Sequence, residues 1–304
     1  MDEQPLEVMA ASIAPGGRTA HHAQYRSHAI SQAFMADPDQ NELHARLDLA
    51  HEVILETCEL INRFFAGRDE LAVDRKTDDS PVTAADKEAE QYLRMRIGDA
   101  FPKDGILGEE FGETKTSSPW RWVLDPIDGT KSFVHGVPLF GTLIGVQFNA
   151  QSVIGLIAIP ALGELVFAGQ GCGAWWQHGK DSPVRAKVDA GTSLAEGLLC
   201  TSDFEGFALT DNWDTLHRLQ QAAGLVRTWG DAYGYVLVAT GRATAMIDPR
   251  LNAWDIAPMP VIMNEAGGTF SDWEGTSSIN SGHGLAAHPQ VARELLSLIG
   301  GSAG

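Results

Sequence analysis

Trp122-Val123-Leu124-Asp125-Pro126-Ile127-Asp128-Gly129-Thr130-Lys131-Ser132-Phe133 is the stretch on which the reading of this chain turns. With Arg121 before it, the segment 121–124 predicts a short strand ending at Asp125. Pro126 has no backbone N–H and cannot continue a ladder at its own nitrogen. A turn there lets Asp125 and Asp128 project toward one point, with the Ile127 carbonyl between them. Two carboxylates and a carbonyl make a hard oxygen site of the kind Mg²⁺ accepts, with positions left for water and phosphate. Gly129 and Thr130 then read as a helix start, whose backbone N–H groups face an anion. An isolated Asp-Pro or Asp-Gly pair is a solvated turn. The full run is far more specific than that.

Upstream, Leu43, Leu47, Ala50, Ile54, Cys58, Ile61 and Phe65 keep the 3.6-residue period of an amphipathic helix that Gly67 ends. A second helix is expected after Thr83, with Asp86 three residues on as a capping partner, stopping over 98–102. Downstream, Phe140, Thr142, Ile144, Val146 and Phe148 alternate at period two, and a meander is expected over 153–159, 164–168 and 173–177. Beyond about Pro183, strands are expected at 197–201 and 243–247. Helices are expected at 212–223, 232–240, 254–265 and 291–299. Blocks of helix and strand predict layered α and β rather than a strict βαβ repeat. Residues 1–40 lack a sustained apolar period and are expected to form a flexible N-terminal extension without a secretory signal. The halves 41–185 and 186–304 are expected to build one site between them.

The 304 residues are 44% hydrophobic, enough for a sizeable core, and no apolar run approaches a membrane span. The formal charge of −18 repels nucleic acid and anionic membranes, so neither is an expected partner. It also repels a phosphorylated substrate, unless metal ions intervene. Three cysteines, Cys58, Cys172 and Cys200, form no framework and no paired motif, which fits a reducing, cytoplasmic setting.

Two more acidic clusters accompany the first, Gly108-Glu109-Glu110 and Trp254-Asp255-Ile256-Ala257, the latter followed by Glu265-Ala266-Gly267-Gly268. Together with the central run and Asp79-Ser80-Pro81-Val82-Thr83-Ala84-Ala85-Asp86, they resemble the inositol monophosphatase family of Mg²⁺-dependent, lithium-sensitive phosphatases. The resemblance covers the chain from about Asn41 onward. It implies an α+β fold, a layered αβαβα sandwich, and a homodimer acting on a small phosphate monoester. It also implies that Glu109, Asp125 and the Ile127 carbonyl bind one metal ion, and that Asp125, Asp128 and Asp255 bind a second. Glu109 would reach a third ion through water. Thr130 with Glu109, and Asp86 nearby, would orient the attacking water, while Gly129 and Thr130 hold phosphate. Lys76 matches a position where the family often carries a basic residue.

Within the family, Thr130-Lys131-Ser132-Phe133, Phe140-Gly141-Thr142-Leu143-Ile144 and Gly230-Asp231-Ala232-Tyr233 look most like the histidinol-phosphatase branch. Histidinol carries an ammonium and an imidazole, so its site should offer carboxylates away from the metals. Asp231 and Asp248 are the candidates, although Asp231 could cap a helix and Asp248 could serve a turn before Pro249. The alternatives are an inositol-1-phosphate or broad sugar-phosphate phosphatase, and a non-catalytic Mg²⁺- or Li⁺-binding regulator. Cys200 and the histidines, His135 included, belong to no motif.

Overall fold

The computed structural model describes residues 37–67, 73–75 and 81–301. Lys76, Asp79 and Ser80 lie outside them, as does the expected extension apart from residues 37–40. Helix α1, Gln40–Ala66, opens on Asp39, whose carboxylate accepts from the Asn41 and Glu42 N–H groups. It closes at Gly67, as its period predicts. A two-stranded ribbon, β1 Val73–Arg75 and β2 Pro81–Thr83, leads into α2, Ala84–Ala100. Thr83 and Asp86 form a reciprocal capping box at its start.

The large sheet contains eight strands. They are β3 Gly105–Gly108, β4 Gly112–Thr114, β5 Trp120–Asp128, β6 Gly141–Phe148, β7 Gln151–Ile159, β8 Glu164–Gly169, β9 Gly173–His178 and β10 Val184–Arg185, in the order β10-β9-β8-β7-β6-β5-β3-β4. All pairs are antiparallel except β3 with β5. Helix α3, Thr130–Val134, follows β5 directly. The small sheet has the order β12-β11-β13-β15-β14, from β11 Leu198–Cys200, β12 Leu225–Arg227, β13 Ala245–Asp248, β14 Thr269–Ser271 and β15 Gly284–Ala287. Between and around these strands run α4 Glu205–Leu209, α5 Trp213–Ala222, α6 Ala232–Ala239, α7 Ala253–Ile256, α8 Met259–Glu265 and α9 Pro289–Gly300.

Three apolar clusters separate the layers. Leu43, Val53, Leu93 and Ile97 of α1 and α2 pack on Trp122, Ile144 and Ile154 of the large sheet. The other face of that sheet meets α6 and α8 through Leu143, Ile157, Val236 and Ile262, and Met246 and Ala286 of the small sheet join the same core. Leu216, Leu219 and Leu295 of α5 and α9 cover the outer face of the small sheet. The sequence of layers is helix, sheet, helix, sheet, helix, which is the expected αβαβα sandwich. With both faces covered, β6 is buried along nearly its whole length, and the period-two pattern in its sequence does not separate core from solvent.

Two expectations are corrected. Strand β5 does not stop at Asp125 but continues to Asp128. Asp125 pairs with Leu143 and Asp128 with Gly141, so three steps on β5 face two on β6, a β-bulge. The bulge absorbs Pro126, whose carbonyl accepts the Thr142 hydroxyl at 2.9 Å. The single helix expected over 254–265 is two, α7 and α8, broken at Ala257 and Pro258. The break lies on a notch in the large sheet made by Gly145 and Gly155, which are partners in register. A Cβ at Gly145 would lie 2.5 Å from the Ala257 Cβ, and one at Gly155 would lie 2.3 Å from the Pro258 carbonyl oxygen. Only glycine permits that approach.

Under α1, Arg46 is buried between the rings of Phe101 and Trp120, 4.3 and 4.0 Å from their centroids. It donates to both oxygens of Asp104 at 2.8 and 3.0 Å, and Asp104 also accepts from Trp122 Nε1 at 3.0 Å. Breaking such a pair leaves a carboxylate stranded in low dielectric. Arg46→Ala should therefore cost about 3–5 kcal/mol of stability in urea unfolding. A loss under about 1 kcal/mol would show that the pair is solvated like a surface bridge.

Candidate active site

The bulge explains how two acidic side chains on one strand reach the same place. In a regular strand, residues three apart point to opposite faces. The extra residue restores the phase, so Asp125 and Asp128 turn to the same side. The break between α7 and α8 presses α7 against the sheet and brings in the third acid. Ligand oxygens of Asp125, Asp128 and Asp255 lie within 4.8 Å of one another.

Each acid is held by its own backbone contacts. Asp255 Oδ2 accepts from the Asn252 N–H at 2.7 Å, as the inner member of a capping box on α7. Asp128 Oδ2 accepts from the Ala232 N–H at 2.6 Å. It thus satisfies the first turn of α6, the task of a cap at Asp231. Asp231 makes no side-chain cap bond. Asp125 is 2% exposed, and its Oδ1 has no hydrogen-bond partner. Burial, and then the charges of Glu109, Asp128 and Asp255, push the Asp125 carboxyl well above the usual carboxylate range. Burial and Asp231 do the same to Asp128, and Asp255 is pushed up to about 7, chiefly by burial. A buried carboxylate oxygen without a donor, crowded by like charges, is the donor set that fits a hard divalent cation.

Glu109 follows the end of β3, and its N–H donates to the Leu124 carbonyl at 3.2 Å. The loop beyond it is gripped by Glu90 of α2, a residue to which the sequence reading gave no role. Glu90 is fully buried and accepts from the N–H groups of Glu110 at 2.7 Å and Phe111 at 3.3 Å, and from Arg94 Nε at 2.7 Å. A Cβ on Gly108 would lie 2.0 Å from Glu90 Oε1. The signal was present in the sequence, because Asp86 and Glu90 share the apolar stripe of Leu93 and Ile97, where an acid needs a partner.

Gly129 has φ of +79°, a left-handed conformation, and opens α3. The Thr130 hydroxyl lies 3.1 Å from the Ile127 carbonyl oxygen and 3.4 Å from Asp86 Oδ1. Asp86 Oδ2 is occupied by the Thr83 N–H and hydroxyl, at 2.8 and 2.7 Å. Asp231 stands directly over this loop, where a Cβ on Gly129 would lie 2.5 Å from its Oδ2. A cleft of about 240 Å³ opens here, lined among others by Glu109, Asp128, Asp231, Asp248 and Asp255. Asp248 is fully buried at the end of β13 and accepts from the Ser202 N–H at 2.8 Å and the Tyr235 hydroxyl at 3.0 Å. Its carboxyl is pushed up to about 7 by burial. His135 is exposed, and its Nδ1 contacts the Lys131 carbonyl at 2.8 Å. Cys200 is buried, with its thiol pushed up to about 12, and has no nucleophilic character.

The inositol monophosphatase family model matches residues 42–300. A histidinol-phosphatase of Chlorobaculum parvum is 41% identical over 257 residues, covering 84% of this chain and 96% of that protein. A histidinol-phosphatase of Streptomyces coelicolor is 36% identical, covering 75% and 86%. Among solved structures, the suhB protein of Bartonella henselae superposes with a TM-score of 0.78 at 26% identity, covering 85% of this chain and 100% of that one.

If the crowding of charge at Asp125 is what a cation relieves, removing one charge should stabilise the metal-free protein. Asp125→Asn should raise its melting temperature at pH 8 by roughly 2–4 °C, the equivalent of ~1 kcal/mol for a chain of this size. Wild type should show a further rise on adding Mg²⁺, and the same change should abolish it. A variant that melts lower without metal and still responds to Mg²⁺ would exclude Asp125 as a ligand.

Proposed function

The chain belongs to the inositol monophosphatase family of phosphate monoester hydrolases, and on that premise we propose that it hydrolyses L-histidinol phosphate to L-histidinol and phosphate. The observation that carries the choice of ester is Asp231. A carboxylate pressed over the phosphate-binding turn of Gly129 suits a substrate whose alcohol part is cationic. The relatives at 41% and 36% identity support the same reading. Asp248 is assigned a supporting role, since its two oxygens already hold Ser202 and Tyr235. A second reading, inositol-1-phosphate or a broader set of sugar phosphates, is favoured by the family itself. A non-catalytic regulator would not need the full set of Glu109, Asp125, Asp128, Thr130 and Asp255.

Glu109, Asp125, the Ile127 carbonyl, Asp128 and Asp255 are proposed to hold the metal ions, taken to be Mg²⁺. Bound there, such ions would offset the charge of the phosphate dianion, acidify a water molecule and stabilise the departing alkoxide. The protein's own part is positioning. The N–H groups at the Gly129–Thr130 turn face the phosphate. The Thr130 hydroxyl, donating to Asp86 or to the Ile127 carbonyl, has its lone pairs available to accept a hydrogen bond from the attacking water. Glu109 completes the orientation of that water. The two halves, 41–185 and 186–304, then form one catalytic unit, for which we propose a homodimeric state and a cytoplasmic location. Among the described residues no helix is long and apolar enough to cross a membrane.

Phosphate release should require Mg²⁺ and stop with EDTA. L-Histidinol phosphate should exceed inositol-1-phosphate and glycerol phosphate in kcat/KM. Asp231→Asn should cost about ten- to a hundredfold on histidinol phosphate, the value of one charge-assisted hydrogen bond, and far less on glycerol phosphate. Equal losses on both esters would favour the broad sugar-phosphate reading. Thr130→Ala should lower kcat with little change in KM, because the backbone contact to phosphate survives. An effect confined to KM would mean that the hydroxyl binds substrate instead.

A further inference from the structure

Lys131 and Glu205 face each other across the mouth of the cleft. Lys131 is the second residue of α3, immediately after Thr130, and Glu205 opens α4 on the opposite wall. Lys131 Nζ lies 3.1 Å from Glu205 Oε2, with the two side chains 67% and 63% exposed. So solvated a pair contributes little and exchanges partners easily. Lys131 is also near enough to Asp231 to ease the burial of its carboxyl, and Asp203, on the same wall as Glu205, opposes it. One ammonium group therefore stands among three carboxylates, Glu205, Asp203 and Asp231, of which Asp231 is near enough to Asp128 to raise its carboxyl.

We infer that Lys131 holds the place of the substrate's own cation, and that Glu205 is a specificity residue which exchanges Lys131 for that cation when the ester binds. The inference rests on the reading of the substrate as histidinol phosphate. Such an ester brings a phosphate dianion and an ammonium together. On binding, Lys131 swings toward the phosphate held at the neighbouring Gly129 and Thr130, and Glu205 takes the ammonium. Two ion pairs become two crossed ion pairs, and no charge is left alone. A neutral alcohol offers no such exchange. If Lys131 turns to its phosphate, Glu205 is stranded beside Asp203 and Asp231. If Lys131 stays, the phosphate has only the metal ions as counter-charge and forgoes the contribution of the ammonium. Either outcome disfavours neutral esters, so the pair selects against them as well as for the cationic one.

The test uses the full-length Mg²⁺-loaded enzyme, with Glu205→Gln and Glu205→Asp beside wild type. L-Histidinol phosphate and glycerol phosphate are the substrates, and L-histidinol is added as a competing product. Glu205→Gln should lose about tenfold in kcat/KM on histidinol phosphate, mainly through KM, and gain a few fold on glycerol phosphate. The inhibition constant of L-histidinol should rise by a similar factor. Glu205→Asp should recover most of both effects. Parallel changes on the two esters, or an unmoved inhibition constant, overturn the exchange while leaving the substrate reading intact. A wild type that does not prefer histidinol phosphate overturns the substrate reading, and the exchange with it.

Discussion

Like charges held together in a dry place are the constraint around which this molecule is organised. Asp125, Asp128 and Asp255 converge within 4.8 Å, one of them almost wholly buried and with an oxygen that has no donor. Left to themselves, such carboxylates would separate or take up protons. They converge because separate parts of the fold hold them from behind. The bulge in β5 aligns the first two, the α6 N-terminus takes hold of Asp128, and the capping box of α7 fixes Asp255. The energy that opposes the repulsion comes from the packed layers on both sides of the large sheet.

The supporting contacts are as particular as the acids themselves. Gly145 and Gly155 are side by side on adjacent strands so that the Ala257–Pro258 break can lie flat on them. Gly108 is small so that Glu90 can reach past it to the Glu110 and Phe111 amides. Gly129 lies under Asp231 for the same reason. In each case a missing Cβ converts a sheet or a turn into a seat for something that belongs to the site. These are constraints on the backbone's closest approach, and the side-chain chemistry follows from them.

Charge over the whole chain fits the same logic. A formal charge of −18 is awkward for a protein that binds phosphate. Cations held at the cluster, as proposed, would resolve this at the floor of the cleft, and Lys131 contributes at its mouth. The other carboxylates lining the cleft, Asp203, Glu205 and Asp231, suit an ester whose alcohol carries positive charge. A substrate with opposite charges at its two ends matches a cleft built that way.

Much of this was legible in the sequence because local chemistry leaves local traces. Helix α1 with its Gly67 stop, the Thr83–Asp86 box and the Asp-Pro-Ile-Asp-Gly-Thr run all involve residues close along the chain, whose spacing states their geometry. The layered fold and the acids themselves could be read from those motifs and the family they resemble. The length of β5 could not, because a proline suggests an end, whereas only the partner strand shows that a bulge absorbs it. Nor could the break in the 254–265 segment, whose cause is two glycines about a hundred residues upstream. The grip of Glu90 and the facing of Lys131 and Glu205 likewise join residues 20 and 74 positions apart. One chain's residue types determined which groups could bind metal and phosphate. Which of them meet was decided by packing, because burial and close approach are properties of pairs of surfaces rather than of segments.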